Sequence, residues 1–297
     1  MEKVIVLTGP TGIGKTELSL RLANEFDLEI INADASQMKR DLTIGTGKYD
    51  VKGTSIKHHL FDIIEPNENY SIKDFSNSAK KIITSLNDNG SCGFIVGGTG
   101  LYINSLLYDY DLNNLERSGE TENKYFTLSN HELHQVLEKL DPNFALTIHE
   151  NNRRRVLRAI ERLEKGEAII DNDVNIAYDA LVILLDTDRS TLYDRINKRV
   201  DKMFLDGWVD ECKMLLSKYD VTNIKDIGYQ EIFSYLKGER SLEETKELIK
   251  KKTRNYAKRQ LTWFRNKLDH TSVLVNYDNI DKTYDELVHL VRDFIYK

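Results

Sequence analysis

The segment Gly9-Pro10-Thr11-Gly12-Ile13-Gly14-Lys15-Thr16 satisfies G-x-x-x-x-G-K-[ST], and its flanks set it between a strand and a helix. Upstream, Val4–Leu7 is an unbroken apolar run; downstream, Leu18 and Leu22 share one helical face. The motif needs that context, because a strand–turn–helix junction aims successive backbone N–H groups and a helix N-terminus at one anion. Its glycines let the main chain curl around phosphate oxygens that a Cβ would obstruct. Lys15 adds a point charge at the terminal phosphate, and Thr16 offers a hydroxyl to Mg²⁺. Gly9, Pro10, Thr11, Gly12, Ile13, Gly14, Lys15 and Thr16 are thus the expected cradle for a di- or triphosphate. The motif serves kinases, ATPases, switches and some transferases, so it does not name the reaction.

Apolar runs recur at Val4–Leu7, Leu28–Ile31, Leu60–Ile64, Phe94–Val96 and Leu181–Leu185, separated by helix-length polar segments. Such runs read as strands buried on both faces of a parallel sheet. The predicted class is α/β: a P-loop NTPase-like parallel sheet core with helices on both faces and a helical insertion. Between about Asp109 and Asn175 the strand-like runs stop, and Arg153 to Lys165 carries Val156, Leu157, Ile160 and Leu163 on one helical face. The expected organisation is residues 1–109 as the first part of the core, 110–175 as the insertion, and 176–297 as the return strand followed by helices. From Ser190 to the end the pattern reads as helical, with Ile227-Gly228-Tyr229 as a break and Ser241 as an N-cap.

The 297 residues carry a net charge of −6, which argues against indiscriminate binding to nucleic acid. The basic residues are nevertheless segregated. Residues 250–267 hold eight of them, Lys250, Arg254 and Lys258 included, and no acidic one, which is a plausible footprint for phosphates. A second cluster is Arg153-Arg154-Arg155-Val156-Leu157-Arg158. Each of these charges read alone is equally a solvated helix face. Trp263, Phe264 and Tyr256 could stack on bases, but aromatic residues at helical spacing are more often core. Cys92 and Cys212 alone make neither a disulfide framework nor a zinc site, so a cytoplasmic location is expected, with no membrane span and no signal peptide.

The run ending at Ala33 leads into Asp34-Ala35-Ser36-Gln37-Met38-Lys39-Arg40. In an open α/β sheet the carboxyl ends of the strands line one crevice, so Asp34, the phosphate loop and Gly97-Gly98-Thr99-Gly100 should converge. A carboxylate there could act as a base, help hold Mg²⁺, or simply cap the next helix.

Together, Gly9–Thr16, Asp34–Gln37 with Arg40, Ile44-Gly45-Thr46-Gly47-Lys48, His58-His59-Leu60-Phe61-Asp62-Ile63, Tyr70-Ser71, Gly97–Tyr102 and Ile227-Gly228-Tyr229-Gln230-Glu231 resemble the tRNA dimethylallyltransferases, also called tRNA isopentenyltransferases. The blocks follow in order to about Arg265. The resemblance implies transfer of a dimethylallyl group from its diphosphate to N6 of the adenosine 3′ of the anticodon, in tRNAs reading codons that start with U. The partners it implies are the tRNA anticodon stem-loop and dimethylallyl diphosphate, with Mg²⁺ as cofactor, and a monomer is expected. It makes Asp34 the general base, Thr16 the hydroxyl near diphosphate and metal, and Arg199 an arginine at the reaction centre. Thr99 matches a position lining the donor channel and Gly100 its neighbour beside the tRNA. Asp34, Ala35, Ser36 and Gln37 would meet the flipped adenine, and Arg154, Arg155 and Arg158 lie in a stretch that matches one contacting tRNA. Ala35 and Lys39 depart from the family's usual serine and tyrosine, and the segment around Asn113–Asn123 lacks its acid–arginine pattern.

Three rivals remain in view. An adenylate isopentenyltransferase acting on free nucleotides would need neither basic clusters nor an insertion. A P-loop small-molecule kinase would use Asp34 on an acceptor hydroxyl. A GTP-dependent switch has formal matches in Asp50-Val51-Lys52-Gly53 and Asn266-Lys267-Leu268-Asp269, neither of which follows an apolar strand.

Overall fold

A computed structural model describes residues 1–108, 119–166 and 176–297, and all structural statements concern these. Two compact units emerge: Met1–Asp109 with Asn175–Lys297, and Tyr110–Val174. The expected boundaries at 109/110 and 175/176, and residues 113–118 of the departing segment, lie outside the described residues.

The elements run β1 (Lys3–Thr8), α1 (Lys15–Phe26), β2 (Ile30–Asn32), β3 (His58–His59), α2 (Ile72–Asp88), β4 (Gly93–Gly97) and α3 (Gly100–Leu107). In the smaller unit follow α4 (Gly119–Lys124), α5 (Asn130–Leu140), α6 (Pro142–Ala145) and α7 (Arg153–Glu164). The chain then returns through β5 (Asp179–Asp186), α8 (Arg189–Leu205), α9 (Trp208–Lys218), α10 (Tyr229–Leu236), α11 (Leu242–Lys267), β6 (Thr271–Leu274) and α12 (Ile280–Ile295).

The six strands form one parallel sheet in the order β3-β2-β4-β1-β5-β6. Successive side chains of a strand point to opposite faces. Ile5 and Leu7 accordingly pack with Leu18 and Leu22 of α1, Leu192 and Ile196 of α8 and Leu287 of α12. Val4 and Val6 pack with Phe75 and Ile83 of α2, Ile103 of α3 and Phe264 of α11. Burial on both faces is why these strands read as unbroken apolar runs rather than alternating ones.

Two strand expectations are corrected. The run Leu60–Ile64 is not a strand. Pairing ends at His59, because Leu60 (φ 64°) and Asp62 (φ 51°) take left-handed conformations that turn the chain out of the sheet. Leu60, Ile63 and Ile64 still pack against the core, and the run's one pairing is an isolated parallel bridge of Ile64 with Lys39, so its apolarity reports burial more than strand pairing. Conversely, the region after Ser190 is not wholly helical: β6 pairs with β5 at the sheet edge. Only Val273 of its four residues is buried, too weak a pattern to read from the sequence.

A third apolar cluster, centred on Trp208, Tyr229, Ile232 and Ile249, joins α8, α9, α10 and the start of α11. Ser241 caps α11 as expected, in a reciprocal box with Glu244. In the smaller unit Leu133 and Leu137 of α5 meet Val156 and Ile160 of α7, while Leu157 and Leu163 are partly buried. No helix of the described residues is long and apolar enough to cross a membrane.

Candidate active site

Strand β1 ends at Thr8, whose hydroxyl donates to Gly97 O at 2.9 Å and ties the ends of two neighbouring strands together. The chain then enters the Gly9–Thr16 loop with Gly12 (φ 83°) and Gly14 (φ 106°) in the left-handed region that this curl requires. Lys15 folds back over the loop, donating to Gly9 O at 2.8 Å and Pro10 O at 2.9 Å. Burial draws its pKa down to about 8; Asp34 opposes that shift and Arg199 adds to it. Thr16 stands half-buried in the first turn of α1.

Strand β2 ends at Asn32, which is buried and uses its amide as a splint. Its Oδ1 accepts the Asp34 N–H at 2.9 Å, and its Nδ2 donates to Asp34 O at 3.1 Å and Leu60 O at 2.9 Å. Asp34 does not cap a helix, since Ala35–Met38 form turns. Its Oδ1 instead accepts the Ser36 N–H at 3.1 Å. Burial raises the Asp34 pKa; Lys15, the Ser36 N–H and Arg199 pull it down, and Asp226 pushes it up.

Helix α8 carries Arg199, whose Nη2 donates to Thr46 O at 3.4 Å. Gly47 (φ 61°) lies so close that a Cβ there would overlap the guanidinium. Burial lowers the Arg199 pKa, and the Asp34 carboxylate counters this. One turn earlier, Arg195 donates from Nε to Gly12 O at 3.1 Å and stacks 3.9 Å from the Tyr277 ring centre. A cavity of about 270 Å³ is lined by Thr11 of the phosphate loop, Asp34, Ser36, Arg199, Asp226 and Tyr256, among others. The predicted acid and arginine therefore share one space with Thr11 of the loop, whereas Lys15 and Thr16 do not line it.

Three further predicted residues lie outside this cavity's lining. Thr99 Oγ1 accepts the Ala35 N–H at 3.0 Å, while its own N–H donates to Ala33 O at 3.0 Å. Gly100 opens α3 against the Trp263 ring. Gln37 donates from Nε2 to Thr46 O at 3.3 Å.

The cationic clusters divide. Lys250 is held by Asp201 at 2.8 Å and Glu247 at 3.0 Å, and Arg254 donates to Asn197 Oδ1 at 2.6 Å. Lys258 is exposed and, with Arg259, Trp263 and Lys267, borders a groove of about 490 Å³ on α11. In the smaller unit Arg153 turns inward to Leu128 O at 2.6 Å and Tyr125 O at 2.8 Å. Arg154 and Arg155 are exposed, and Arg158 pairs with Glu161 at 3.2 Å.

Sequence reasoning missed two residues here. Gln260, 6% exposed on α11, accepts the Thr11 N–H with Oε1 and donates from Nε2 to Gly98 O, both at 2.9 Å. Its signal was an uncharged residue inside a basic run. Asp226 borders the cavity just before Ile227-Gly228-Tyr229, and only proximity to that break hinted at it.

Sheet order and phosphate loop together define a P-loop-type α/β protein. A family model described as IPP transferase matches residues 37–267, and one described as Isopentenyl transferase matches residues 2–57. The chain belongs to the IPP transferase family. It is 41% identical to the tRNA dimethylallyltransferase of Clostridioides difficile, across 99% of this chain and 100% of that one. The Enterococcus faecalis protein of the same name is 43% identical over 90% of each chain. Among solved structures, the tRNA isopentenylpyrophosphate transferase of Bacillus halodurans superposes with a TM-score of 0.77 at 37% identity, covering 100% of this chain and 97% of that one. A eukaryotic dimethylallyltransferase acting on tRNA reaches 0.86 at 27% identity, covering 100% and 80%.

Proposed function

We propose that this chain transfers a dimethylallyl group from dimethylallyl diphosphate to N6 of the adenosine 3′ of the anticodon, in tRNAs reading codons that start with U. The new N6–C bond forms as the donor's C–O bond breaks. Diphosphate leaves, and the proton shed by the amine passes to Asp34. An exocyclic amine is a poor nucleophile, which is why a base is needed as the bond forms. The observation that carries the reading is that Asp34 lines the same cavity as Thr11 of the phosphate loop and Arg199. Membership of a family whose relatives bear the name tRNA dimethylallyltransferase supplies the donor and acceptor.

The phosphate loop and Lys15 receive the diphosphate, and Arg199 helps absorb the charge that develops on it as it leaves. The donor set suits Mg²⁺, which takes hard oxygen ligands and prefers one or two protein groups plus substrate phosphates. The Thr16 hydroxyl, half-buried in the first turn of α1, is such a group. Bound there, Mg²⁺ would neutralise charge on the leaving diphosphate.

The target base must leave its loop stack to reach a cavity of this kind. Ser36 and Gln37, beside the acid, are the groups assigned to its edge. The exposed Lys258, Arg259 and Lys267 of α11 are assigned to tRNA phosphates, as are Arg154 and Arg155 of α7. Three arginines open α7, where they oppose the helix dipole, and a phosphate between the exposed Arg154 and Arg155 would relieve that repulsion. Lys250 and Arg254 move to a supporting role, because α8 already engages both.

The decisive assay incubates unmodified tRNA, a tRNA lacking the target adenosine, and AMP separately with labelled dimethylallyl diphosphate and Mg²⁺. Label entering only the first supports the proposal. Label in AMP, or none in the tRNA, overturns it.

A further inference from the structure

Lys39 and Asp226 form an ion pair at 2.8 Å with side chains only 14% and 12% exposed. The same carboxylate accepts the Ser36 hydroxyl at 2.5 Å. Ser36 in turn donates its backbone N–H to Asp34 Oδ1 at 3.1 Å. An unbroken chain of polar contacts thus runs Asp34–Ser36–Asp226–Lys39, joining the loop after β2 to the loop before α10. An ion pair shielded from water is weak as a stabilising device, because desolvation offsets most of its attraction and apolar packing serves as well. Its value must be sought in what it orients. Asp226 and Asp34 line one cavity, and Ser36 stands between them.

We propose that Asp226 and Lys39 are positioning residues for the reaction at Asp34, with Asp226 holding Ser36 and Lys39 holding Asp226. The proposal rests on the reading of Asp34 as proton acceptor and deepens it. It also gives a role to Lys39, which stands where the resembling family has a tyrosine: a phenol could donate a hydrogen bond to Asp226 but would not balance its charge.

Two consequences follow, one geometric and one electrostatic. The Ser36 N–H keeps one Asp34 oxygen occupied, which leaves the other free for the amine proton. By Coulomb's law the charges of the pair act on Asp34 with opposite signs: Asp226 makes the carboxylate easier to protonate, and a cation at Lys39 works against that. The other groups facing Asp34 are Lys15 on α1, Arg199 on α8, the phenols of Tyr102 on α3 and Tyr256 on α11, and, along the cavity wall, Lys225. None of them touches Ser36 as Asp226 does.

The test is the pH profile of kcat/KM for tRNA under single-turnover conditions, whose acid limb reports protonation of Asp34 in the free enzyme. Asp226→Asn can still accept the Ser36 hydroxyl but leaves Lys39 uncompensated, so the limb should move to lower pH. Lys39→Met leaves Asp226 uncompensated, so the limb should move to higher pH. Each shift is expected to be roughly half a unit, as for a charge one residue removed in a partly screened site. The double variant Lys39→Met/Asp226→Asn carries no charge at either position and should return the limb close to that of the wild type. A merely structural role would lower the rate without moving the limb in opposite directions. Limbs that stay fixed, or move the same way in both single variants, overturn the proposal. If either single variant fails to fold, the other and the double variant still give the sign. Asp34→Asn separates the two levels. Full activity in it removes the reading of Asp34 as the base, whereas an inactive Asp34→Asn beside unmoved limbs removes only the positioning pair.

Discussion

Gln260 accepts the backbone N–H of Thr11 at 2.9 Å, so the helix bearing the largest basic run is hydrogen-bonded directly to the phosphate loop. The other end of the same amide donates to Gly98 O at 2.9 Å, which makes one side chain the clasp between the loop after β1 and the loop after β4. Replacing it by alanine strands a donor and an acceptor in a nearly dry setting, at about 1–3 kcal/mol for each unsatisfied group. Gln260→Ala is therefore expected to lower the urea midpoint and to raise the KM for the prenyl donor more than that for tRNA. Equal effects on both substrates would mean that the clasp does not act on the phosphate loop.

Asp34→Ala should reduce single-turnover transfer by about 10² to 10⁴-fold, the usual contribution of a positioned base. Its affinity for tRNA, followed by filter binding, should stay within a few-fold of wild type, because the Asn32 splint holds the backbone of this turn independently of the carboxylate. A variant that transfers at the wild-type rate would take the proton away from this residue.

Lys15 gives a second, independent pH dependence. Burial lowers its pKa to about 8, below its value in an unfolded chain. Between pH 8 and the unfolded value the unfolded chain binds the extra proton, so the unliganded protein gains stability as pH rises through that window. Diphosphate binding runs the other way, since it needs the ammonium, and the KM for donor should climb above about pH 8. Lys15→Arg keeps the charge and should flatten the climb, even if its bulkier head weakens binding throughout.

The salt dependence of tRNA binding should discriminate among cations that the sequence alone treats alike. Lys258→Ala and Lys267→Ala each remove an exposed charge and should lower the slope of log K against log salt by about 0.7 to 0.9. Lys250→Ala should leave the slope almost unchanged, because its ammonium is already engaged by Asp201 and Glu247. A full unit lost on removing Lys250 would show that RNA displaces those carboxylates.

Much of this arrangement is local and was legible in order along the chain. The Gly9–Thr16 loop, the strand before it and the acid after β2 follow from short-range rules, in which glycine placement, apolar runs and the crevice at strand ends leave little choice. The cap at Ser241 is equally local. The apolar run at Leu60–Ile64 misled because burial and strand pairing leave the same mark on a sequence, and only the left-handed Leu60 and Asp62 tell them apart. Strand β6 was invisible for the converse reason: an edge strand with one buried side chain carries almost no pattern.

The chain of residues by itself therefore determined the sheet class, the anion loop and the place of an acid just after β2, since each depends on neighbours within a few positions. Tertiary structure alone decided which distant groups complete them: Asp226, set against Ser36 across 190 positions, and Gln260, set against Thr11 across 249. It also decided which lysines face water and which face a carboxylate. Those outcomes depend on how α8, α10 and α11 pack against the loops. Side-chain charge and helical spacing do not encode that geometry, because packing free energy is shared among many contacts while a hydrogen bond's direction is settled only once both partners are in place.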